Sequence, residues 1–271
     1  MKRPCVCVFS KHLQFLDYEA LAKTCADIGL DGVDLTVRPG GHVLPERVTE
    51  DLPRAAEAIR AAGLEVPMLT TRLADGDDPD ARPILETAAS LGIPYFRIGG
   101  QHYEESGDVL DQLRGFADDL RSLTRLAEQC GMTAGYHNHS GYQNVGAPLW
   151  DLHYLFEKVG SDHLGSNFDI GHAKVEGAYG AWQINAHLMA PHVKMMAAKD
   201  FVWDDGKPKW GPLGKGLVPT VEFLKIFRQA GFSGPISLHF EYKPESNDAL
   251  IDEIRQAVVT MRNALDEAGY A

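Results

Sequence analysis

The sequence is short of basic residues and of cysteine, and it contains no long hydrophobic run. Its 26 lysines and arginines stand against 38 aspartates and glutamates, which gives a formal net charge of -12. Nucleic acids and anionic membranes are bound by basic surfaces, so this charge excludes both classes of partner from our expectation. No apolar run approaches the roughly 18 residues that a membrane-spanning helix needs.

The cysteines fit neither a disulfide framework nor a zinc site. Cys5, Cys7 and Cys25 fall early in the chain, and Cys130 ends a predicted helix, with no CxxC spacing among them. We interpret them as reduced packing residues. Because no signal-type apolar segment follows Met1, we expect a cytoplasmic protein, unless an export leader has been removed.

Helical patterns end repeatedly in a glycine that is followed directly by an apolar strand. Glycine adopts the left-handed conformation that terminates a helix without a Cβ penalty, so these positions predict helix ends. The helix-ending glycines are Gly29, Gly63, Gly92, Gly131 and Gly231. The strands predicted on this basis cover 4–9, 32–37, 64–70, 94–99, 132–138, 164–169, 192–199 and 235–241.

Strands that alternate with helices predict a parallel sheet, and eight such units favour a closed barrel over an open sheet. We therefore predict a single (β/α)8 barrel domain over residues 1–271. No GxGxxG or GxxxxGK[ST] motif opens a predicted helix, which counts against a nucleotide-binding fold.

The segment 135–139, GYHNH, places two imidazoles and an amide at the end of a predicted strand. The two-residue period of a strand puts His137 and His139 on the same face. Since active sites of such barrels lie where strands end, the other polar strand ends are expected to join them in one pocket. These are Arg38 and His42, Arg97, Asp169 and His172, Lys199, and His239 and Glu241.

Four of these residues share the inward parity of their strands and mix imidazole with carboxylate: His137, Asp169, His239 and Glu241. This donor set suits manganese, cobalt, iron, nickel or zinc better than calcium or magnesium. The alternative is a hydrogen-bonded polar network that binds a sugar without a metal.

The motifs YHNH, NFDIGHA, KDF and HFEY, in this order, resemble those of the xylose isomerase-like barrel proteins. This group of sugar-phosphate isomerases and epimerases includes inosose dehydratase, hydroxypyruvate isomerase and ketose 3-epimerases. The resemblance covers nearly the whole chain and implies a xylose isomerase-like TIM barrel. It also implies a divalent metal held by a glutamate, an aspartate, a histidine and a glutamate from strands five to eight.

Compared with that pattern, this chain keeps the aspartate as Asp169 and replaces the first glutamate by His137. Ala197 stands where the family has its metal-binding histidine, and either His239 or Glu241 takes the place of the last glutamate. The resemblance further implies that His172 contacts the substrate. Manganese is the metal we expect first, with zinc, cobalt, iron, nickel or magnesium as alternatives.

The resemblance implies a divalent-metal-dependent isomerase or epimerase that acts on a small keto or aldo sugar through an enediolate. Glu241, His139, His172 and Lys199 are the candidates for proton transfer. Because Glu241 is the one remaining carboxylate, a lyase that eliminates water or an alcohol from a 3-keto sugar or glycoside is the alternative. Because Ala197 stands where the family has a metal-binding histidine, a barrel that binds a sugar without a metal is a further alternative.

The expected substrate contacts come from two chemical classes of side chain. Tryptophans stack on sugar faces, and Trp203 and Trp210 flank the loop that follows the seventh predicted strand. The polar candidates are Arg38, His42, Arg97, Asn138 and His172. The expected partner is a small-molecule sugar, and assembly into a homo-oligomer is compatible with the sequence.

We expect an uncharged sugar or glycoside to be preferred over a sugar phosphate, because the net charge is -12 and the glycine-rich run 211–216 lacks the signature of a phosphate site. A panel of free and phosphorylated ketoses checks this expectation. A strong preference for the phosphorylated sugars would show that local cations such as Arg38 and Lys199 dominate the overall charge.

Overall fold

The computed structural model describes residues 2–270, and eight of its strands close into a parallel barrel, as the sequence predicts. Along these residues the strands are β1 (Val6–Phe9), β2 (Gly32–Thr36), β3 (Glu65–Thr70), β4 (Tyr95–Arg97), β5 (Thr133–His137), β6 (Leu164–Asp169), β7 (Val193–Ala198), β8 (Asp200–Asp204), β9 (Lys207–Gly211) and β10 (Ile236–Leu238). The order around the barrel is β1-β10-β7-β6-β5-β4-β3-β2, so β5, β6, β7 and β10 are consecutive neighbours.

The helices surround the barrel. They are α1 (Tyr18–Ile28), α2 (Val48–Ala61), α3 (Ala81–Ser90), α4 (Val109–Gln129), α5 (Trp150–Val159), α6 (Ile170–Glu176), α7 (Ala181–Met189), α8 (Thr220–Gln229) and α9 (Asn247–Glu267). Gly29 shows why the predicted helix ends are real, since its φ is +89° and its amide donates to the carbonyl of Ala26. In the described residues no helix has both the length and the apolar composition that a bilayer crossing requires.

Side chains that alternate along the strands separate an outer apolar core from a polar interior. Outward residues such as Leu35, Phe96 and Phe168 are fully buried in the apolar cluster that the strands share with the helices. Inside the barrel, the buried carboxylate of Asp34 accepts hydrogen bonds from the hydroxyls of Thr70 at 2.8 Å and Ser237 at 2.7 Å. The interior therefore becomes polar before the strands end.

The segment after β7 differs from the loop expected there, because β8 and β9 form an antiparallel hairpin. Its turn is Asp205-Gly206, and both residues have positive φ values, of 48° and 72°. Such Asp-Gly turns suit two-residue hairpins. The last barrel strand is also shorter than predicted: β10 ends at Leu238, so His239 and Glu241 lie in the segment that follows it.

One buried carboxylate holds the chain beneath this hairpin. Asp200 is almost completely buried and accepts hydrogen bonds from the backbone amides of Phe201, Gly214, Gly216 and Val218 at 2.8 to 3.0 Å. An isolated two-stranded hairpin is only marginally stable. The carboxylate of Asp200 therefore anchors a hairpin that would be only marginally stable by itself.

Replacing Asp200 by alanine should lower the free energy of unfolding by about 3 kcal/mol, because several buried amides lose their acceptor together. Denaturant unfolding measures this change. The control is Asp204→Ala, which removes only an exposed ion pair with Lys209 on the same hairpin and should change stability by less than about 1 kcal/mol. Equal effects of the two substitutions would contradict the anchoring role.

Candidate active site

Three hydrogen bonds fix Asp169 at the end of β6. Its Oδ1 accepts the backbone amide of His172 at 2.8 Å and so caps α6. The side chain of Asn138 donates to the Asp169 carbonyl at 3.1 Å and accepts from the Asp169 amide at 2.8 Å. Because these contacts use the backbone and Oδ1, the second carboxylate oxygen, Oδ2, points elsewhere.

Oδ2 of Asp169 meets two imidazoles from the neighbouring strand ends. Nε2 of His137 lies 3.4 Å from it, and one ligand atom from each of His137, Asp169 and His239 lies within 4.8 Å of the others. The rings of His137 and His239 stack with their centroids 5.5 Å apart and their planes 18° apart. We call His137, Asp169 and His239 the Asp169 cluster.

The Asp169 cluster fits a divalent metal. Across residues 2–270, neither nitrogen of His137 nor Nε2 of His239 has a hydrogen-bond partner, although all three atoms are buried. Buried nitrogens are normally paired, so two imidazoles with unpaired nitrogens beside a carboxylate form a donor set that suits a divalent cation. Three protein ligands with one open position are the usual arrangement of a catalytic zinc site.

His137 also belongs to a second set, with His139 and His172, whose ligand atoms lie equally close together. The centroids of the His137 and His139 rings are 4.6 Å apart, and those of the His139 and His172 rings 5.1 Å apart. This set contains no carboxylate to offset the charge of a cation. The Asp169 cluster is therefore the better match to a divalent ion.

Three imidazoles of the site, those of His137, His139 and His239, are held in the neutral state. Burial, reinforced by the charge of Arg97, lowers the pKa of His137 and His239 well below the ordinary value. The same two causes lower the pKa of His139 to about 3. Neutral imidazole is the form that ligates metals, so near neutral pH the rings need not lose a proton first.

Lys199 lies beside the Asp169 cluster and links it to Glu241. Its ammonium nitrogen is buried, lies 3.1 Å from Oδ2 of Asp169, and contacts the carboxylate of Glu241. The side chain of Glu241 is 34% exposed and is not among the three ligands that converge. Burial alone would raise the pKa of Glu241, but its polar contacts with His172 and Lys199 outweigh burial and hold the pKa below its usual range.

The hydrogen bonds of His172 define its tautomer. Lys199 donates to Nε2 of His172 at 2.6 Å, and a lysine ammonium has no acceptor to offer in return. The remaining proton of His172 is therefore on Nδ1, which donates to Oγ of Ser140 at 2.8 Å. Lys199, His172 and Glu241 form one connected group, which we call the lysine relay.

Two of the expected substrate contacts, Arg38 and Arg97, lie near the Asp169 cluster. Arg38 and Arg97 lie over the ring of Phe9, at 5.2 and 5.8 Å, and Phe9 stacks on His239, so both arginines are close to the Asp169 cluster. Nη2 of Arg97 is 3.4 Å from Nε2 of His139. These guanidiniums place hydrogen-bond donors beside the Asp169 cluster.

The two tryptophans of the hairpin have different surroundings. The ring of Trp210 lies 5.0 Å from the His172 ring, and the Lys199 nitrogen lies 4.3 Å from the centre of Trp210. Trp203 is 43% exposed and packs edge-on against Phe201. Trp210 therefore borders the lysine relay, whereas Trp203 has no contact with it.

Asn138 and His42, two further candidates for substrate contact, bond to nearby residues of the barrel. The amide nitrogen and the amide oxygen of Asn138 both bond to the backbone of Asp169, so the residue positions that carboxylate. Nδ1 of His42 lies 3.1 Å from Oγ of Ser10 and 3.4 Å from Oγ1 of Thr36, at the ends of the first two strands. It contacts no member of the Asp169 cluster.

Sequence reasoning did not select two residues that support the site. His12 accepts the backbone amide of Phe240 at 3.0 Å and so holds the segment that carries His239 and Glu241. Ser140 bonds to Nδ1 of His172 at 2.8 Å and so helps to orient its ring. Their only sequence signal is position, since each lies just beyond a predicted strand that ends in polar residues.

Comparisons with known proteins agree with the barrel fold. The family described as "Xylose isomerase-like TIM barrel" matches residues 22–263. A search of curated protein sequences finds no match.

Three solved structures illustrate the likeness in fold. The IOLI protein, described with a bound zinc atom, has a TM-score of 0.81 at 16% identity, covering 98% of this chain and 100% of its own. The 3-keto-D-glucoside 4-epimerase YcjR from E. coli gives 0.75 at 14% identity, covering 96% and 100%. The probable 3-DHS dehydratase AsbF from Bacillus anthracis gives 0.73 at 14% identity, covering 96% and 99%.

Replacing Asn138 by alanine should lower the free energy of unfolding by about 2 kcal/mol, because the Asp169 backbone loses two buried hydrogen bonds. It should also weaken Mn²⁺ binding roughly tenfold, since such supporting contacts orient metal ligands. Denaturant unfolding and calorimetric titration measure the two effects. The control Asn144→Ala removes an amide that contacts only nearby carbonyls and should leave Mn²⁺ affinity unchanged. Unchanged Mn²⁺ affinity in Asn138→Ala would contradict the positioning role.

Proposed function

The chain belongs to the xylose isomerase-like TIM barrel family, and from this premise we propose that it is a divalent-metal-dependent isomerase or epimerase of a small keto or aldo sugar. The observation that carries the proposal is the convergence of unpaired, buried imidazole nitrogens on Oδ2 of Asp169. Manganese is the metal proposed first. The zinc atom described for the IOLI protein supports a divalent ion in this fold.

The ligands would be His137, Asp169 and His239, which leave an open position for the substrate. A bound divalent cation would stabilise the negative charge that develops on the sugar oxygens as an enediolate forms. Arg97 and Arg38 donate hydrogen bonds from the same side as Phe9 and orient the sugar hydroxyls. Trp210 provides an aromatic edge beside the relay.

Proton transfer is assigned to the lysine relay. Glu241 is its most exposed member and accepts the proton from the carbon next to the sugar carbonyl. Lys199 and His172 hold the carboxylate in place, since both lie within 3.6 Å of Oε1 of Glu241. A single base on one face of the sugar can return the proton to the neighbouring carbon on that same face. This transfer interconverts an aldose and a ketose.

Two-base epimerisation needs a second base on the opposite face of the sugar, and His139 is the other candidate for proton transfer. Burial and the neighbouring Arg97 guanidinium both lower the pKa of His139 and so oppose its protonation. Within the proposed class, the one-sided arrangement favours isomerisation over epimerisation.

A lyase is the second candidate, and the contact between Lys199 and Glu241 favours it. A base and a proton donor that share one face can remove a carbon-bound proton and protonate the leaving oxygen in a β-elimination from a 3-keto sugar or glycoside. The dehydratase among the structural neighbours is compatible with this reaction in the same fold. A panel of ketoses and 3-keto glycosides, with products identified by NMR, distinguishes the two reactions.

Asp169→Asn should fold, lose the metal of the Asp169 cluster, and reduce turnover at least on the order of a hundredfold, because the substitution removes the negative charge that offsets the cation. His172→Ala should keep that metal and lose substrate affinity or rate, since the side chain of His172 belongs to the lysine relay and only its backbone amide bonds to Asp169. Elemental analysis and steady-state kinetics measure both variants.

If both variants kept wild-type metal content and turnover, the proposed site would be in the wrong place. A wild-type protein that contains no transition metal and binds neither added Mn²⁺ nor Zn²⁺ would instead favour the metal-free, sugar-binding barrel.

A further inference from the structure

Three metal-ligating side chains meet on the outside of the barrel, apart from the Asp169 cluster. His153 and Glu157 lie one turn apart on α5, and His192 ends the 3-10 turn Ala190–His192 that leads into β7. Nδ1 of His153 lies 3.2 Å from Nε2 of His192, and Nε2 of His192 lies 3.7 Å from Oε1 of Glu157. One ligand atom from each residue lies within 4.8 Å of the others.

These separations match a tetrahedral metal. Zinc binds imidazole nitrogen at about 2.0–2.1 Å, so two such ligands at a tetrahedral angle lie roughly 3.3 Å apart. The two histidine nitrogens already have nearly this spacing. Glu157 is 64% exposed and can rotate, and its Oε1 is only a few tenths of an ångström beyond this spacing from Nε2 of His192.

The histidine rings are held in place by packing. The His192 ring lies against the ring of Phe156 with centroids 5.4 Å apart, and against the His153 ring at 5.3 Å. Its side chain is only 20% exposed. The ligand on the barrel side is therefore preorganised, while α5 supplies the other two ligands at i and i+4, which share one helix face.

A hydrogen bond between two imidazoles explains the 3.2 Å contact without a metal, but it does not involve Glu157. An exposed carboxylate next to a histidine contributes little to stability by itself. The coincidence of two imidazoles and a carboxylate, all at ligand spacing, is the observation that a cation explains and a single hydrogen bond does not.

We propose that His153, Glu157 and His192 form a second divalent-cation site, selective for ions of the zinc class, with its fourth position open to water. Imidazole with one carboxylate is a donor set that zinc favours. His192 directly precedes β7 and Lys199 directly follows it, so the site lies roughly 20 Å along the strand from the lysine relay. Bound zinc would join α5 to the start of β7 and stabilise the fold.

Zinc stoichiometry of the full chain tests the proposal, with Zn²⁺ as the probe. After dialysis against Zn²⁺, Asp169→Asn should retain one zinc per chain, and Asp169→Asn combined with His192→Ala should retain none. Adding His187→Ala to Asp169→Asn instead should leave one zinc, because His187 is an exposed histidine of α7 outside the cluster. Equal zinc content with and without His192 would overturn the proposal.

Glu157→Gln provides a second test that does not depend on whether the His192→Ala variant folds. Because the carboxylate of Glu157 is largely exposed, this substitution should leave the fold intact. In the Asp169→Asn background, it should raise the Zn²⁺ dissociation constant about tenfold or more in calorimetric titration, whereas Glu222→Gln on α8 should not change it. An unchanged constant in Glu157→Gln would also overturn the proposal. The zinc content of the wild-type protein distinguishes the two proposed sites. Two zinc ions per chain would support both sites, whereas one ion that is lost on His192→Ala would support only the site proposed here.

Discussion

The buried carboxylate of Asp169 is the constraint on which the site depends. A carboxylate removed from water must be paired, hydrogen-bonded or bound to a metal, or else it becomes neutral. Here the Oδ1 atom is used by the cap of α6, and the Oδ2 atom faces Lys199 at 3.1 Å and His137 at 3.4 Å. The position of α6 and the placement of Lys199 follow from satisfying this one group, and Asn138 holds the backbone that carries it.

This constraint explains how the chain can lack the family's histidine at position 197. Ala197 pairs with Ser237 of the neighbouring β10, and two residues further along that chain His239 enters the same side of the barrel. Its ring stacks between Phe9 and His137, which directs an unpaired nitrogen towards the Asp169 cluster. On the proposed function, the missing imidazole is replaced from the adjacent strand, and Glu241 is released to serve the relay.

The sequence was sufficient to predict the barrel, because the helix-ending glycines and the alternation of elements are local signals. Strand parity also predicted inward positions for His137, Asp169, His239 and Glu241. The hairpin could not be predicted, since its anchor is the set of hydrogen bonds that Asp200 accepts from amides as far away as Val218. The choice between His239 and Glu241 depended on where β10 ends, which is set by pairing across the barrel.

The surroundings of single side chains were equally beyond local patterns. Asn138 reads as a strand-end amide, and only its partner, 31 residues away, shows that it holds Asp169. Trp203 and Trp210 look equivalent along the chain, and the hairpin alone determines that Trp210 borders the lysine relay. These features arise from tertiary contacts, so a single sequence carries no direct signal for them.

The most direct test of the account is a crystal grown with Mn²⁺ and soaked with a ketose. We expect an anomalous difference peak bounded by Nε2 of His137, Oδ2 of Asp169 and Nε2 of His239, with sugar oxygens at the open position and Glu241 beside the adjacent carbon. A sugar bound in this pocket with no cation, while Lys199 keeps its contact with Asp169, would contradict the account.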